Sequence, residues 1–187
     1  MSSPNPYAID ADTLSGMKPL RKVVYSLGSN LGDRLNNLQG AIDALRDTPD
    51  VIVVDVSSVY ETDPVGGPED SPSFLNLIIV AETTLEPRTL LERALAIEDA
   101  YGRERTAERN APRTLDVDLI VVGDRRAHDD DLVLPHPKAH ERAFVLAPWR
   151  DVEPDAELLD QGSVSELLEK AADQEIRLRD DVSLTFQ

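Results

Sequence analysis

The order of elements along the chain predicts an α+β fold with a ferredoxin-like β-α-β-β-α-β core, a largely antiparallel sheet with helices on its faces. Three observations carry that prediction. Runs of β-branched and aliphatic residues recur at 22–27, 51–62, 74–84 and 115–122. Two stretches of helical spacing fall between them, and Pro- and Gly-rich breaks separate the pieces.

The first strand, Lys22 to Leu27, runs into Gly28-Ser29-Asn30-Leu31-Gly32-Asp33, a tight turn with Asn30 or Asp33 near a helix cap. Leu35, Leu38, Ile42 and Leu45 then recur at helical spacing up to Thr48-Pro49. The β-rich runs 51–62 and 74–84 are joined by DPVGGPEDSPS, too long for a tight hairpin. Pro87 suits the first turn of a second helix that ends at Tyr101-Gly102. On it Leu91 and Leu95 lead to Glu98, which is either the exposed end of the apolar stripe or part of a site. After the strand 115–122 come a turn at Gly123-Asp124, a short strand 132–134, Pro135-His136-Pro137 and an amphipathic piece carrying Arg142 and Phe144. Flanked by prolines, His136 falls outside regular structure, at the surface. Ser163 and Glu166 form a capping box for a last helix with Val164, Leu167, Leu168 and Ala171 on one face.

With 187 residues, 41% of them hydrophobic, the chain suits one domain, read here as 21–180. Residues 1–20 are expected to be a disordered extension and 181–187 a frayed tail. A formal net charge of -17 excludes the broad basic footprint of a nucleic-acid surface, yet leaves room for a nucleotide on a local cationic patch. There is no cysteine, no signal-type N-terminus and no stretch long enough for a bilayer. A cytoplasmic monomer, with no membrane or nucleic-acid partner, is expected.

Chemistry concentrates around PRTLDVDLIVVG, residues 112–123. Side chains alternate along a strand, so Asp116 and Asp118 point the same way, with Cα atoms about 6.5 Å apart, while Leu115, Val117 and Leu119 face the other side. Two carboxylates so placed suit Mg²⁺, which keeps several waters and shares its remaining positions with substrate phosphates. Just upstream, Arg103, Arg105, Arg109 and Arg113 crowd one short segment. Taken singly, the acids fit a solvated strand face and the arginines a solvated loop. Side by side in so acidic a chain, they point to a polyanion bridged by metal.

The motifs SLGSNLGDR, SSVYETDPVGG, FLN, GRERTAERNAPRTLDVDLI and LPHP, in that order, resemble the 6-hydroxymethyl-7,8-dihydropterin pyrophosphokinase family over about residues 23–154. The resemblance implies transfer of pyrophosphate from ATP to the hydroxymethyl group of the pterin, with release of AMP, in folate biosynthesis. It implies two Mg²⁺ ions on Asp116 and Asp118, and phosphate clamping by Arg103 and Arg113 with Arg105 nearby. Asp118 is also the nearest candidate acceptor of the hydroxyl proton. Glu98, His136 and Arg142 match the ATP side, with the backbone near Leu119 and Leu132 against adenine. Thr62, Val65, Phe74, Asn76 and Phe144 match the pterin side, the two phenylalanines sandwiching the ring and Asn76 offering a donor and an acceptor to its edge. Thr106 and Asn110 stand where the family often has lysine and tryptophan, and Asp131 replaces a common arginine.

Overall fold

A computed structural model describes residues 18–64, 72–101 and 114–185. Its centre is an all-antiparallel six-stranded sheet in which β1 (Arg21–Ser29) lies between β4 (Phe74–Thr83) and β5 (Asp116–Val122). Beyond β4, the run predicted as one β-rich stretch divides into β2 (Val51–Val56) and β3 (Tyr60–Thr62), both paired with β4. The split has a local cause. Ser57 turns inward, its N–H donating to Ile78 O and its hydroxyl accepting from Ile78 N–H, which ends the β2 ladder. Counting β2 and β3 as one unit, the strand order is that of the expected core.

Helices α1 (Arg34–Arg46) and α2 (Pro87–Ala100) cover one face. Asp33 caps α1 through its carboxylate, which accepts from Asn36 N–H at 3.2 Å. Leu38, Ala41, Ile42 and Leu45 of α1 pack with Val23, Tyr25 and Leu27 of β1 and with Leu77 and Ile79 of β4. On α2 the buried stripe is Leu90, Ala94, Ile97 and Glu98, one position round the helix from the expected Leu91 and Leu95, which flank it half-buried.

The opposite face is covered by α3 (Ala143–Val152) and α4 (Val164–Lys170) over Val24, Ile78, Val80 and Ile120. The sequence showed α3 only as an amphipathic piece, because Pro148 interrupts its pattern; the proline sits inside the helix nonetheless. Burial outweighs the lost hydrogen bond, with Trp149 1% exposed and its indole N–H donating to Glu153. The helix predicted from the capping box is α4, with Ser163 accepting from Glu166 N–H at 3.4 Å.

Small strand pairs complete the described chain: β6 (Ala127–His128) with β7 (Val133–Leu134), and β8 (Glu157–Leu158) with β9 (Gly162–Ser163). The sheet gains a further edge, β10 (Arg177–Leu178), on β3. Residues 181–185, in the stretch expected to fray, lie against α1: Thr185 N–H donates to Gln39 Oε1, and Val182 and Leu184 pack on the core.

Two irregularities matter for the site. Val24 pairs with Val121 but Tyr25 with Leu119, so Ile120 is an extra residue, a bulge in β5. Before it, Asp116 and Asp118 face the α3 side and Val117 and Leu119 the α1/α2 core; after it the alternation is offset, and Val122 returns to that core. The carbonyl of Ile120 accepts from His136 N–H at 2.9 Å, fastening the loop after β7 to the sheet.

Candidate active site

Where α3 stops short of the sheet's end, the exposed floor and its rim enclose a cleft of about 710 Å³, in the range of small-molecule sites. Strand register builds the floor. Gly28 of β1 stands opposite Asn76 of β4 on one side and Asp116 of β5 on the other, and Ser26 stands opposite Asp118. Both carboxylates therefore open into the cleft, as strand alternation predicts. Gly28 leaves a lane between them and Asn76, where a β-carbon would come 3.2 Å from Asn76 Oδ1 and 3.5 Å from Phe74 Cδ1.

Across the lane, Asn76 is 3% exposed and its Nδ2 donates to Thr62 Oγ1 at 2.9 Å. That bond fixes the amide orientation, leaving Oδ1 toward Gly28. Phe74 pairs with Thr62 in the β3–β4 ladder and lines the same wall. The facing wall carries Lys138, Arg142 and Phe144, with the Arg142 guanidinium 5.5 Å from the Phe144 ring centroid.

An ionic cluster braces the Thr62 wall from behind. Glu61 meets Arg34 at 2.7 Å, Arg179 at 3.2 Å and Arg177 at 3.4 Å. Burial works to raise the Glu61 pKa, but hydrogen bonding and charge from Arg34, with Arg179 and Arg177, hold it below the ordinary glutamate value. Arg177 also reaches Asp63 at 3.2 Å and, together with a hydrogen bond from Ser73, lowers the Asp63 pKa.

The cleft thus brings together Thr62, Phe74, Asn76, Asp116, Asp118, Arg142 and Phe144. Other candidates lie elsewhere. Glu98, 2% exposed on α2, sits under the sheet, its carboxylate accepting from Val117 N–H at 3.1 Å. It is therefore at the buried edge of the α2 stripe, beneath the Asp pair. Leu119 and Leu132 put their side chains in the α1/α2 core, and the Leu132 carbonyl accepts from Asp129 N–H. His136 is half-buried rather than on the surface, as its flanking prolines had suggested, with Nδ1 accepting from Lys138 N–H at 3.1 Å. Burial, then the charges of Arg142 and Lys138, push its pKa down to about 4, so the imidazole is neutral at pH 7. Asp131 is paired with Arg88 on α2. Val65, Arg103, Arg105, Thr106, Asn110 and Arg113 lie outside the described residues.

Ser26, Gly28, Lys138 and the stretch Gln174–Ile176 also line the cleft and escaped the reading of the chain. For Gly28 a signal existed, since a glycine ending a strand at the floor marks close approach. Gln174 carries none, being brought in by the path of the chain after α4.

The donor set suits magnesium: two carboxylates on one strand face, and among the described residues no group of three or more acids or histidines that would form a protein cage.

Comparison with known proteins places the chain among relatives. A family model described as 7,8-dihydro-6-hydroxymethylpterin-pyrophosphokinase (HPPK) matches residues 24–154. A 2-amino-4-hydroxy-6-hydroxymethyldihydropteridine pyrophosphokinase of Mycobacterium tuberculosis is 42% identical over 175 residues, 88% of this chain and 90% of that one. The enzyme of the same name from Bacillus subtilis is 43% identical over 134 residues, 71% of this chain and 79% of its own. Among solved structures, wild-type Plasmodium falciparum HPPK-DHPS with pteroate superposes with a TM-score of 0.65 at 14% identity over 84% of this chain. Such identity speaks for the fold alone, and the present chain spans 45% of that longer one. A family match over most of the chain and relatives above 40% identity lead to one conclusion: the chain belongs to the 7,8-dihydro-6-hydroxymethylpterin-pyrophosphokinase family.

Proposed function

We propose that this cleft transfers pyrophosphate from ATP to 6-hydroxymethyl-7,8-dihydropterin, releasing AMP, in folate biosynthesis. The observation that carries the reading is the placing of Asp116 and Asp118 on one floor with Thr62, Asn76 and Phe74. A carboxylate pair suited to metal and a wall suited to a flat ring, on either side of Gly28, are what an acceptor alcohol meeting a triphosphate requires.

Asp116 and Asp118 would hold two Mg²⁺ ions, which would supply charge neutralisation for the transferred phosphates. The chain's own residues do the positioning. Asn76, its Nδ2 anchored by Thr62, offers its amide to the edge of the pterin, and Phe74 and Phe144 take the ring faces. Val65 is assigned to pterin binding by the family resemblance alone. Arg142 draws ATP from the opposite wall, and Arg103, Arg105 and Arg113 clamp its phosphates. Glu98 acts from beneath, by holding the Val117 peptide between the two aspartates. His136 acts by fixing the loop before Arg142, while the backbone at Leu119 and Leu132 borders adenine. Asp118 is the nearest group for the hydroxyl proton.

Among the described residues no helix is long and apolar enough to cross a membrane, and a net charge of -17 disfavours a nucleic-acid surface. The setting proposed is a cytoplasmic monomer. The test is a coupled assay of AMP release from ATP. AMP that appears only when hydroxymethyl dihydropterin and Mg²⁺ are both present supports the function, and release indifferent to the pterin rejects it.

A further inference from the structure

Gln174 lies beyond the stretch that matches the family, residues 24–154, in the turn after α4. Its carboxamide makes two hydrogen bonds to a distant loop. Oε1 accepts from Ala143 N–H at 2.9 Å, and Nε2 donates to the Glu141 carbonyl at 2.6 Å. Those are the peptide groups on either side of Arg142. Ala143 opens α3, so its N–H has no partner inside the helix, and Arg142 at the N-cap supplies no capping side chain. A glutamine 31 positions away serves instead.

Gln174 is itself held. Ile176 packs on the core beneath α3, and Arg177 and Leu178 pair with Glu61 and Tyr60 in the sheet. Arg177 also bonds to Glu61 and Asp63 behind the Thr62 wall. The short stretch 174–177 therefore spans from the Arg142 wall to the Thr62 wall of one cleft.

We propose that Gln174 is a positioning residue that presents Arg142 to ATP by gripping the backbone on both sides of it. The inference rests on the pyrophosphokinase reading. A capping bond alone would affect only stability. A grip on both neighbours of a binding residue affects where that residue's guanidinium lies.

The test uses the full chain and AMP release at varied ATP. Gln174→Met removes both bonds at similar volume, and is expected to raise KM for ATP by about tenfold while kcat stays within about twofold. In an Arg142→Ala background the same substitution should change KM by less than about twofold, because it acts through a side chain already gone. Gln174→Glu keeps the acceptor for Ala143 N–H but sets a carboxylate against the Glu141 carbonyl. It should stay folded and still raise KM for ATP, and it decides the matter if the methionine variant does not fold. An ATP KM within twofold of wild type in folded variants, or an equal rise in the Arg142→Ala background, overturns the proposal. Wild-type protein without pterin-dependent AMP would overturn the underlying reading, and the proposal with it.

Discussion

The Glu98 carboxylate accepts a hydrogen bond from the backbone N–H of Val117 at 3.1 Å, and Val117 is the residue between Asp116 and Asp118. Its side chain faces the core that α2 covers, so helix and metal strand are joined at the one peptide where movement would splay both acids. Glu98→Ala strips a buried donor of this acceptor and should cost about 1–3 kcal/mol. In a chain of this size that lowers Tm by roughly 2–4 °C per kcal/mol. Glu98→Gln, which keeps an oxygen in place, should recover most of the loss. Urea denaturation of the pair checks this, and equal stabilities would refute the bond's role.

Asp116→Asn and Asp118→Asn remove charge without changing shape on the cleft floor. Each should lower AMP release by at least about a hundredfold while moving Tm by no more than about 2 °C, because the side chains face the cleft rather than the core. Calorimetric titration of Mg²⁺ with an unhydrolysable ATP analogue should show the metal dependence weakened in both. Near-normal turnover in both variants would remove the metal role.

Thr62→Val takes the partner from the buried Asn76 amide at almost constant volume. A lost hydrogen bond of about 1–2 kcal/mol corresponds to a rise on the order of 5- to 30-fold in KM for the pterin, with KM for ATP little changed. Equal rises for both substrates would place Asn76 outside the pterin pocket.

Gly28→Ala sets a methyl 3.2 Å from Asn76 Oδ1 and narrows the lane toward Asp116. Asn76 is buried and held by Thr62, so it cannot step aside freely and the variant should lose stability, by about 1–3 kcal/mol. In the folded variant pterin binding, followed by ligand fluorescence, should weaken as well, by about tenfold or more. Undiminished affinity would mean that the pterin does not use the lane.

His136 titrates at about 4 in the folded chain, below the ordinary histidine value near 6.5. Between those values the unfolded chain binds the extra proton and the folded one does not. The stability that depends on the neutral ring is complete above about pH 6.5 and is lost as pH falls toward 4. Tm should therefore drop more steeply over that interval in wild type than in His136→Gln. Parallel Tm profiles would show that the ring titrates normally.

Much of this was legible in the chain. Asp116 and Asp118 could be assigned to one face because a strand alternates with a period of two, and the Asp33 cap and the Ser163 capping box follow from side chains that reach nearby backbone donors. What stayed hidden depends on tertiary contacts. On α2 the apolar residues Leu90, Leu91, Ala94, Leu95 and Ile97 allow two neighbouring stripes, and only packing on the sheet selects Leu90, Ala94 and Ile97, with Glu98 buried beside them. The helix that carries Phe144 was obscured by Pro148, whose lost bond is outweighed by Trp149 and its neighbours. Gln174 reaches Arg142 across a long chain separation, and spacing rules describe only neighbours in sequence.

The extra residue at Ile120 also divides one strand into two alternations. Toward the strand's end, exchanges among aliphatic residues at Val121 and Val122 would be felt by the helices packed over them and need not turn the carboxylates. Removing Ile120 would merge the two halves into a single alternation, so that keeping Val122 in the interior would swing both acids out of the cleft toward the packed side. One inserted residue thus uncouples the hydrophobic register from the direction in which the acids point.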